Sequence, residues 1–476
     1  MPRRERAAAG ALIAVAAVAY AVLGLVKLHT FQASTFDLVI FDQAVRNYSE
    51  FQAPAVPAAG VAYGAGPDHL QLADHFSPIL ALLAPLYWIH DGPATLIVAQ
   101  AVLLAAAVVP IRAFARRRLA PAPAFLVCVA YAVSWPVAQA AWFDFHEVAF
   151  VPLLTAIAIE RLDADRFAAG AAAVLALLLV KEDMGLMVLG FGGYLFATRR
   201  RLEGVALALI GAGALLLIRN GLMPLLGADP QRHWAYHSLG ADVPGVLRAL
   251  AADPLAALGR LVSPEGKLDT IVLLLWPTLL TCLYSPLSLA ALPQVAERLL
   301  ADKPQWWDTQ FHYNAFVVAI LVCAGVDGAV RLHDRLGRAE RTRGLAAGLA
   351  GHWAVAVFAV ALTLIPRFAL DRLAEPAFYS GGPDQRVAAA RAAVAAVPSG
   401  VTVEAVNHVG PALTARATVL LWDGTPRQAE WIVADVLRPS FPFGSLDDQR
   451  RRVDEARRAG YLTVFERDGY VVLRRA

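Results

Sequence analysis

The chain has little of what a soluble, disulfide-bonded or metal-binding protein needs. Cys128, Cys282 and Cys323 are its only cysteines among 476 residues, and all three lie in apolar stretches. They provide neither a disulfide framework nor metal-ligand spacing. Charged residues make up 17% of the chain, against about a quarter in an ordinary soluble domain. The hydrophobic residues, 58% of the total, are gathered in blocks, which predicts a polytopic membrane protein.

Tandem repeats, low-complexity linkers and a glycine-rich phosphate-binding loop are also absent from the sequence. Without such a loop we expect no bound nucleotide, and we expect no nucleic-acid partner. The chain begins with basic residues, and an apolar run follows from Ala7 to Val26. This run is too long for the core of a signal peptide, so it predicts a retained membrane anchor.

Apolar runs of about 15 to 20 residues predict about eleven membrane-spanning helices. They occupy residues 8–26, 94–111, 122–140, 147–160, 167–181, 184–198, 204–219, 269–284, 286–300, 314–330 and 345–365. The run 76–90 is too short for a span and favours a helix that lies in the membrane interface. In the outer loop 220–267, residues 243–261 have helical apolar spacing and predict a surface helix.

Basic residues cluster at alternate loops, which predicts a cytoplasmic N-terminus and an extracytoplasmic C-terminal segment. The five clusters are Arg3/Arg4/Arg6, Arg112/Arg116/Arg117/Arg118, Arg161/Arg166, Arg199/Arg200/Arg201 and Arg331/Arg335/Arg338/Arg341/Arg343. The opposite side receives most of the acidic residues found in the loops.

The composition changes at about Pro366, and residues 366–476 predict a small extracytoplasmic α/β domain that follows the transmembrane domain 1–365. Asp468-Gly469 is a strong hairpin signal. The predicted helices are 386–397 and 447–459, and the predicted strands are 401–406, 418–421, 431–436, 461–466 and 470–473. The fold class is therefore an α-helical polytopic membrane protein with a C-terminal α/β domain.

The first outer loop, residues 27–93, is the most polar-studded part of the apolar region. Spacing predicts a helix in which Asp37 and Gln43 face a polar cleft. The residues predicted to face lipid are Phe36, Val39, Ile40 and Ala44. Asp42 follows one turn after Asp37. Asp74-His75 forms a second polar group near the end of the loop. Acids at the bilayer edge usually have a function, but a solvated loop that touches the membrane by chance is the alternative.

Three further polar groups interrupt the apolar runs: His146-Glu147, Lys181-Glu182 and His312-Tyr313. The first lacks the second histidine of a zinc-protease motif. The second forms a tight turn at membrane depth, either a functional site or a salt-bridged hairpin tip. The third is either part of a site or of an aromatic interface belt. We expect all of these groups to meet in one outward-facing pocket.

These residues resemble the C-type glycosyltransferase superfamily and, within it, a group of bacterial predicted membrane proteins known as domain of unknown function 2079. The resemblance covers most of the chain. It rests on the motifs Ser34-Thr-Phe-Asp-Leu-Val-Ile-Phe-Asp-Gln43, Ala73-Asp-His-Phe-Ser-Pro78, Phe145-His-Glu147, Val180-Lys-Glu-Asp183 and Phe311-His-Tyr313.

The resemblance implies a catalytic base in the first outer loop, and Asp37 matches it best. Many members have a second acid directly after the first, whereas Leu38 stands here, so Asp42 remains the alternative. Metal use varies in the superfamily. The sequence therefore gives no certain cofactor, and a divalent metal is left open.

The resemblance also implies the reaction. A sugar moves with inversion from a polyprenyl-phosphate carrier in the lipid bilayer to a glycan, lipid or protein acceptor. Asp74 and His75 would approach the carrier phosphate, and Lys181 with His75 or His312 would hold it as it leaves. The other substrate-binding candidates are His146, Glu147, Glu182 and Tyr313.

Two other functions remain open. A transporter or flippase also has short, interrupted helices with charges at depth, although no repeat relates the two halves of this chain. A non-catalytic membrane scaffold would tolerate changes at the acids of the first loop.

Overall fold

Six helices in the described part of the chain are long and apolar enough to cross a membrane. The structure, a computed structural model, describes residues 3–338, 348–381 and 386–476. The six are Arg3–His29, Pro93–Arg116, Pro121–Trp142, Arg201–Leu225, His312–Arg338 and Leu349–Arg367. Arg341 and Arg343, which we assigned to the fifth basic cluster, lie outside the described residues.

The predicted count of about eleven spans is not confirmed, because several apolar runs fold as helices of 10 to 14 residues. At a rise of about 1.5 Å per residue, such helices are shorter than the hydrocarbon core of a bilayer. They are Phe150–Asp163, Phe167–Ala176, Gly185–Ala197, Gly266–Leu275 and Ser288–Leu300. The run 76–90 likewise folds as two short helical turns, Pro78–Leu83 and Ala84–Tyr87.

The chain divides into two compact units. The first unit comprises Met1–Val18, Ala101–Phe143 and Glu147–Asp371. The second unit comprises Ala19–Gln100, Asp144–His146 and Arg372–Ala476.

The described residues of the first unit form helices joined by turns and loops, without a strand. Besides the five short helices above, its helices are Val108–Arg116, Pro121–Ala132, Trp135–Trp142, Arg201–Leu217, Val243–Ala252, Pro254–Val262, Ala315–Arg338 and Leu349–Leu364. The pair Val243–Ala252 and Pro254–Val262 confirms the helical prediction for residues 243–261.

Glycines allow two helices of the first unit to pack backbone to backbone. A Cβ added at Gly192 would lie 2.6 Å from the carbonyl oxygen of Gly204, and one added at Gly211 would lie 2.5 Å from that of Gly185. Small residues permit this close approach between membrane helices, where dispersion contacts replace the hydrophobic effect. The packing fixes the helix that follows the Lys181 turn.

The second unit contains a five-stranded sheet. Its strands are β1 (Thr402–Ala405), β2 (Thr418–Leu421), β3 (Trp431–Asp435), β4 (Tyr461–Arg467) and β5 (Tyr470–Arg475). The order is β2-β1-β3-β5-β4, with β1, β2 and β3 parallel and the other pairings antiparallel. Asp468 and Gly469 both have positive φ in the β4–β5 turn, so the predicted strands and hairpin are confirmed.

Helices of the second unit come from both ends of the chain. Those of eight or more residues are Ile40–Ser49, Val387–Ala396 and Leu446–Arg458. The shorter ones are Pro57–Ala62, Gln71–Asp74, Ala84–Tyr87 and Pro376–Ser380.

The first outer loop and the sheet share one hydrophobic core. Val39, Ile40 and Ala44 pack in the same buried cluster as Val403 of β1 and Val433 of β3. The prediction that these three loop residues face lipid is therefore wrong. Their apolar helix face is covered by protein, and hydropathy alone does not distinguish the two kinds of apolar surroundings.

A single glycine allows this close packing between loop and sheet. A Cβ at Gly410 would lie 2.1 Å from Oγ1 of Thr35 and 3.0 Å from its Cγ2. We expect Gly410→Ala to destabilise the second unit by about 1–3 kcal/mol, because overpacking forces neighbours apart. Thermal unfolding in detergent measures this.

Gly424→Ala is the matched control, since a Cβ there would meet no atom of the described residues within 4 Å. Equal melting temperatures for the two variants would contradict the packing argument.

Candidate active site

Asp37 lies on a π-helical turn, Thr35–Val39, that continues into the helix Ile40–Ser49. Its side chain keeps 30% of its surface accessible. Oδ1 of Asp37 lies 3.6 Å from Nε2 of His146. The carboxylate is thus both held by a partner and open to a substrate.

The His146 ring is fixed by three contacts within the second unit. Nδ1 lies 2.9 Å from the carbonyl oxygen of Asp144, and the backbone N–H donates to Oε1 of Gln100 at 3.2 Å. The ring of Phe41 stands 5.2 Å from the imidazole, centroid to centroid. These contacts leave Nε2 as the nitrogen that faces Asp37.

A buried ion pair stands beside this contact. Nζ of Lys27, in the last turn of the helix Arg3–His29, lies 3.0 Å from Oδ1 of Asp144. The backbone N–H of Ser34 donates to the other carboxylate oxygen at 2.7 Å. Asp144 thereby ties the end of the first helix to the segment that carries Asp37.

The two carboxyl groups have opposite pKa shifts. Burial opposes ionisation of Asp37, but the hydrogen bond and charge of His146, together with Lys27, hold its pKa below the usual value. Burial raises the pKa of Asp144 despite the nearby Lys27. Asp37 is therefore a carboxylate at neutral pH and has the proton-accepting form.

Asp42, the alternative base, is enclosed. Its side chain has no accessible surface, and its oxygens accept from Tyr87 Oη at 2.7 Å and Thr414 Oγ1 at 2.8 Å. Arg46 lies 2.9 Å away. Burial raises the pKa of Asp42, against the opposing effect of Arg46. This carboxyl links the loop helix to the sheet through Thr414.

Asp74 and His75 also belong to the second unit. Asp74 ends the helix Gln71–Asp74 and is buried, whereas His75 is extended and half-buried. They are neighbouring residues with a carboxylate and an imidazole, which are both common ligands of divalent cations.

The first unit holds a second charged cluster. Nζ of Lys181 lies 3.0 Å from Oε1 of Glu147, and both side chains are buried. Glu182 is buried next in sequence, and Asp183 accepts a hydrogen bond from Nε2 of Gln294 at 2.9 Å. The sequence left this turn as either a functional site or a salt-bridged hairpin tip, and Lys181 does form a salt bridge, with Glu147.

His312 and Tyr313 lie among aromatic rings in the first unit. The His312 ring centroid is 5.0 Å from that of Phe143 and 4.1 Å from that of Tyr313. Arg298 donates to the Tyr313 carbonyl and stacks on Phe316 at 4.1 Å. A buried guanidinium held this way provides positive charge where apolar residues dominate.

A family model matches residues 27–472, almost the whole chain, and describes predicted membrane proteins of domain of unknown function 2079. The chain belongs to this family. No curated protein matches it. The family assignment confirms the resemblance drawn from the motifs.

The fold of this chain is similar to that of a solved structure. ArnT from Cupriavidus metallidurans, solved bound to undecaprenyl phosphate, matches with a TM-score of 0.50 at 15% identity, over 97% of each chain. The oligosaccharyltransferase AglB from Archaeoglobus fulgidus, in complex with an inhibitory peptide and a dolichol-phosphate, gives 0.44 at 13% identity. That match covers 90% of this chain and 69% of AglB.

Four side chains in these clusters were not among the site residues that the sequence predicted: Lys27, Asp144, Gln294 and Arg298. Two signals point to three of them. Lys27 is a basic residue at the end of the first apolar run that the charge bias predicts to be outside, where basic residues are uncommon. Gln294 and Arg298 are four apart in a mostly apolar helix, so they share one face.

Replacing Lys181 alone should destabilise the protein more than replacing Lys181 and Glu147 together. Lys181→Met leaves the buried Glu147 carboxylate without its cation, which we expect to cost about 3–5 kcal/mol. Lys181→Met combined with Glu147→Leu removes both charges and should recover most of that loss. Thermal unfolding of the purified protein measures both.

Arg200→Met is the control in the same unit, because Arg200 pairs with Asp165 at 2.9 Å on the surface. Exposed pairs contribute little. A Lys181→Met variant as stable as Arg200→Met would contradict the buried-pair account.

Proposed function

We propose that this member of the family is a membrane glycosyltransferase that moves a sugar from a polyprenyl-phosphate carrier to an extracytoplasmic acceptor. Asp37 is the general base. One observation carries the proposal: Asp37 is a partly accessible carboxyl group whose Oδ1 lies 3.6 Å from Nε2 of a fixed His146. A general base must be in its deprotonated form and within reach of a hydroxyl.

The reaction exchanges one C–O bond for another. The acceptor oxygen bonds to the anomeric carbon, while the bond from that carbon to the carrier phosphate breaks. The electron pair leaves on the phosphate, and the acceptor proton moves to Asp37. Attack from the face opposite the leaving group inverts the anomeric configuration.

Burial favours Asp37 over Asp42 as the base. Asp42 is fully enclosed and is hydrogen-bonded to Tyr87 and Thr414. A substrate hydroxyl would have to displace these partners to reach it. We therefore assign Asp42 to holding the loop helix on the sheet.

The lipid-linked donor is supported by two considerations. The fold is that of ArnT, which was solved bound to undecaprenyl phosphate. Nucleotide sugars are cytoplasmic, so a transferase that works outside the cell membrane needs a donor carried by lipid. The extracytoplasmic position of the α/β domain is part of the same proposal.

The leaving phosphate needs positive charge or hydrogen-bond donors. We assign this role to Lys181, His75 and His312. The ammonium group of Lys181 has three N–H donors, and one of them binds Glu147. His146, Glu147, Glu182, Asp74 and Tyr313 complete the proposed substrate-binding set.

Replacing the base tests the function directly. Membranes that contain Asp37→Asn, supplied with radiolabelled polyprenyl-phosphate sugars, should transfer sugar about 100-fold more slowly or worse, since a positioned base contributes about 10²–10⁴. Asp68→Asn is the control, because Asp68 is an exposed acid of the same loop. Equal transfer by wild type and Asp37→Asn would remove Asp37 as the base.

The pH profile tests the role of His146. His146→Gln removes the charge of the ring, while burial continues to oppose ionisation of Asp37, so the pKa of the carboxyl group rises. Because the ionised form is the active one, the acidic limb of kcat/KM should move to higher pH.

His90→Gln, at an exposed histidine of the same loop, should leave that limb in place. An unshifted limb in His146→Gln would show that His146 does not control the ionisation of Asp37.

A further inference from the structure

Asn407 lies two residues after the end of β1, at the carboxyl edge of the parallel part of the sheet. Its side-chain Oδ1 accepts two hydrogen bonds at 3.1 Å, from the Ser34 hydroxyl and from the Phe36 backbone N–H. Its backbone carbonyl accepts two more, from the N–H of Thr35 at 2.6 Å and from Oγ1 of Thr35 at 2.7 Å. One residue just beyond β1 thus binds the three residues that directly precede Asp37.

These four hydrogen bonds support a segment that is neither a regular α-helix nor a strand. The turn Thr35–Val39 is π-helical, and Ser34 before it is extended without a side-chain cap bond of its own. The first N–H groups of any helix lack partners within the helix, and here Asn407 satisfies those of Thr35 and Phe36. π-Helical turns are rare and concentrate at functional sites, so their geometry needs support from outside.

We infer that Asn407 is a positioning residue for the general base, through which the C-terminal sheet sets the direction of the Asp37 carboxylate. This inference rests on the proposed function. Asn407 acts on Asp37 through residues 34–36, by way of their backbone and of the Ser34 hydroxyl, and itself touches no reacting atom. A displacement of about 1 Å at a catalytic group costs up to about 100-fold in rate.

Hydrogen-bond geometry defines the informative variants. Asn407→Leu removes both side-chain acceptor bonds but keeps the backbone carbonyl bonds to Thr35, so the loop stays on the sheet. Asn407→Asp keeps a carboxylate oxygen in place of Oδ1 and with it both acceptor bonds. We expect kcat to fall about 10- to 100-fold in Asn407→Leu with KM little changed, and to recover to within about threefold of wild type in Asn407→Asp.

Gln449→Leu is the matched structural control. Gln449 is a fully buried amide of the same unit that bonds Ser440, Asp435 and Arg438, none of which belongs to the Asp37 segment. Both leucine variants should lower the melting temperature, but only Asn407→Leu should lower kcat.

A pH profile separates positioning from general loss of structure. Asp37 is faced by His146 and Lys27, with Asp144 behind them, all in the second unit. If Asn407→Leu loosens the approach of Asp37 to His146, the acidic limb of kcat/KM moves to higher pH. Gln449→Leu should leave the limb unmoved.

Failures of the two proposals give different results. If Asp37→Asn abolishes transfer while Asn407→Leu keeps the wild-type kcat and acidic limb, the positioning role is overturned and the general base stands. The same holds if Asn407→Leu and Gln449→Leu lose equal activity and Asn407→Asp does not recover it. Undiminished transfer by Asp37→Asn overturns the proposed base itself.

Discussion

The hydrophobic core shared by the first outer loop and the C-terminal sheet is the constraint on which the candidate site depends. The segment that carries Asp37 forms a π-helical turn, which is rare, without a side-chain cap bond at its start. Val39, Ile40 and Ala44 bury their side chains with β1 and β3, and Asn407 binds the backbone ahead of Asp37. Residues more than 350 positions apart in sequence thus form one folding unit.

Two acids five residues apart acquire different roles from this packing. Asp42 points into the protein, where Tyr87, Thr414 and Arg46 use its oxygens and burial raises its pKa. Asp37 keeps accessible surface, and His146 lowers its pKa. A low pKa makes a carboxylate a weak base in water, so exclusion of water by a bound substrate would strengthen it. Environment, not residue type, separates a structural acid from a reactive one.

Local patterns predicted local structure well. Short strand-like runs and the Asp468-Gly469 turn predicted all five strands, because strand and turn preferences act over a few residues. The helix in the first loop was also predicted, and the choice of Asp37 as the base stays a prediction. Hydropathy could not reveal that Val39 faces protein rather than lipid, nor that Asp42 is enclosed by Thr414. The Lys27–Asp144 pair joins residues 117 positions apart, and no spacing rule reaches that far.

Backbone hydrogen exchange of the full-length protein in detergent tests the shared core most directly. Val433 is buried in β3 within that core, so Val433→Ala should loosen the whole unit. The account predicts that amides of residues 35–45 lose protection together with those of β1 and β3, relative to wild type. Loss of protection in the sheet alone, with residues 35–45 exchanging as in wild type, would contradict it.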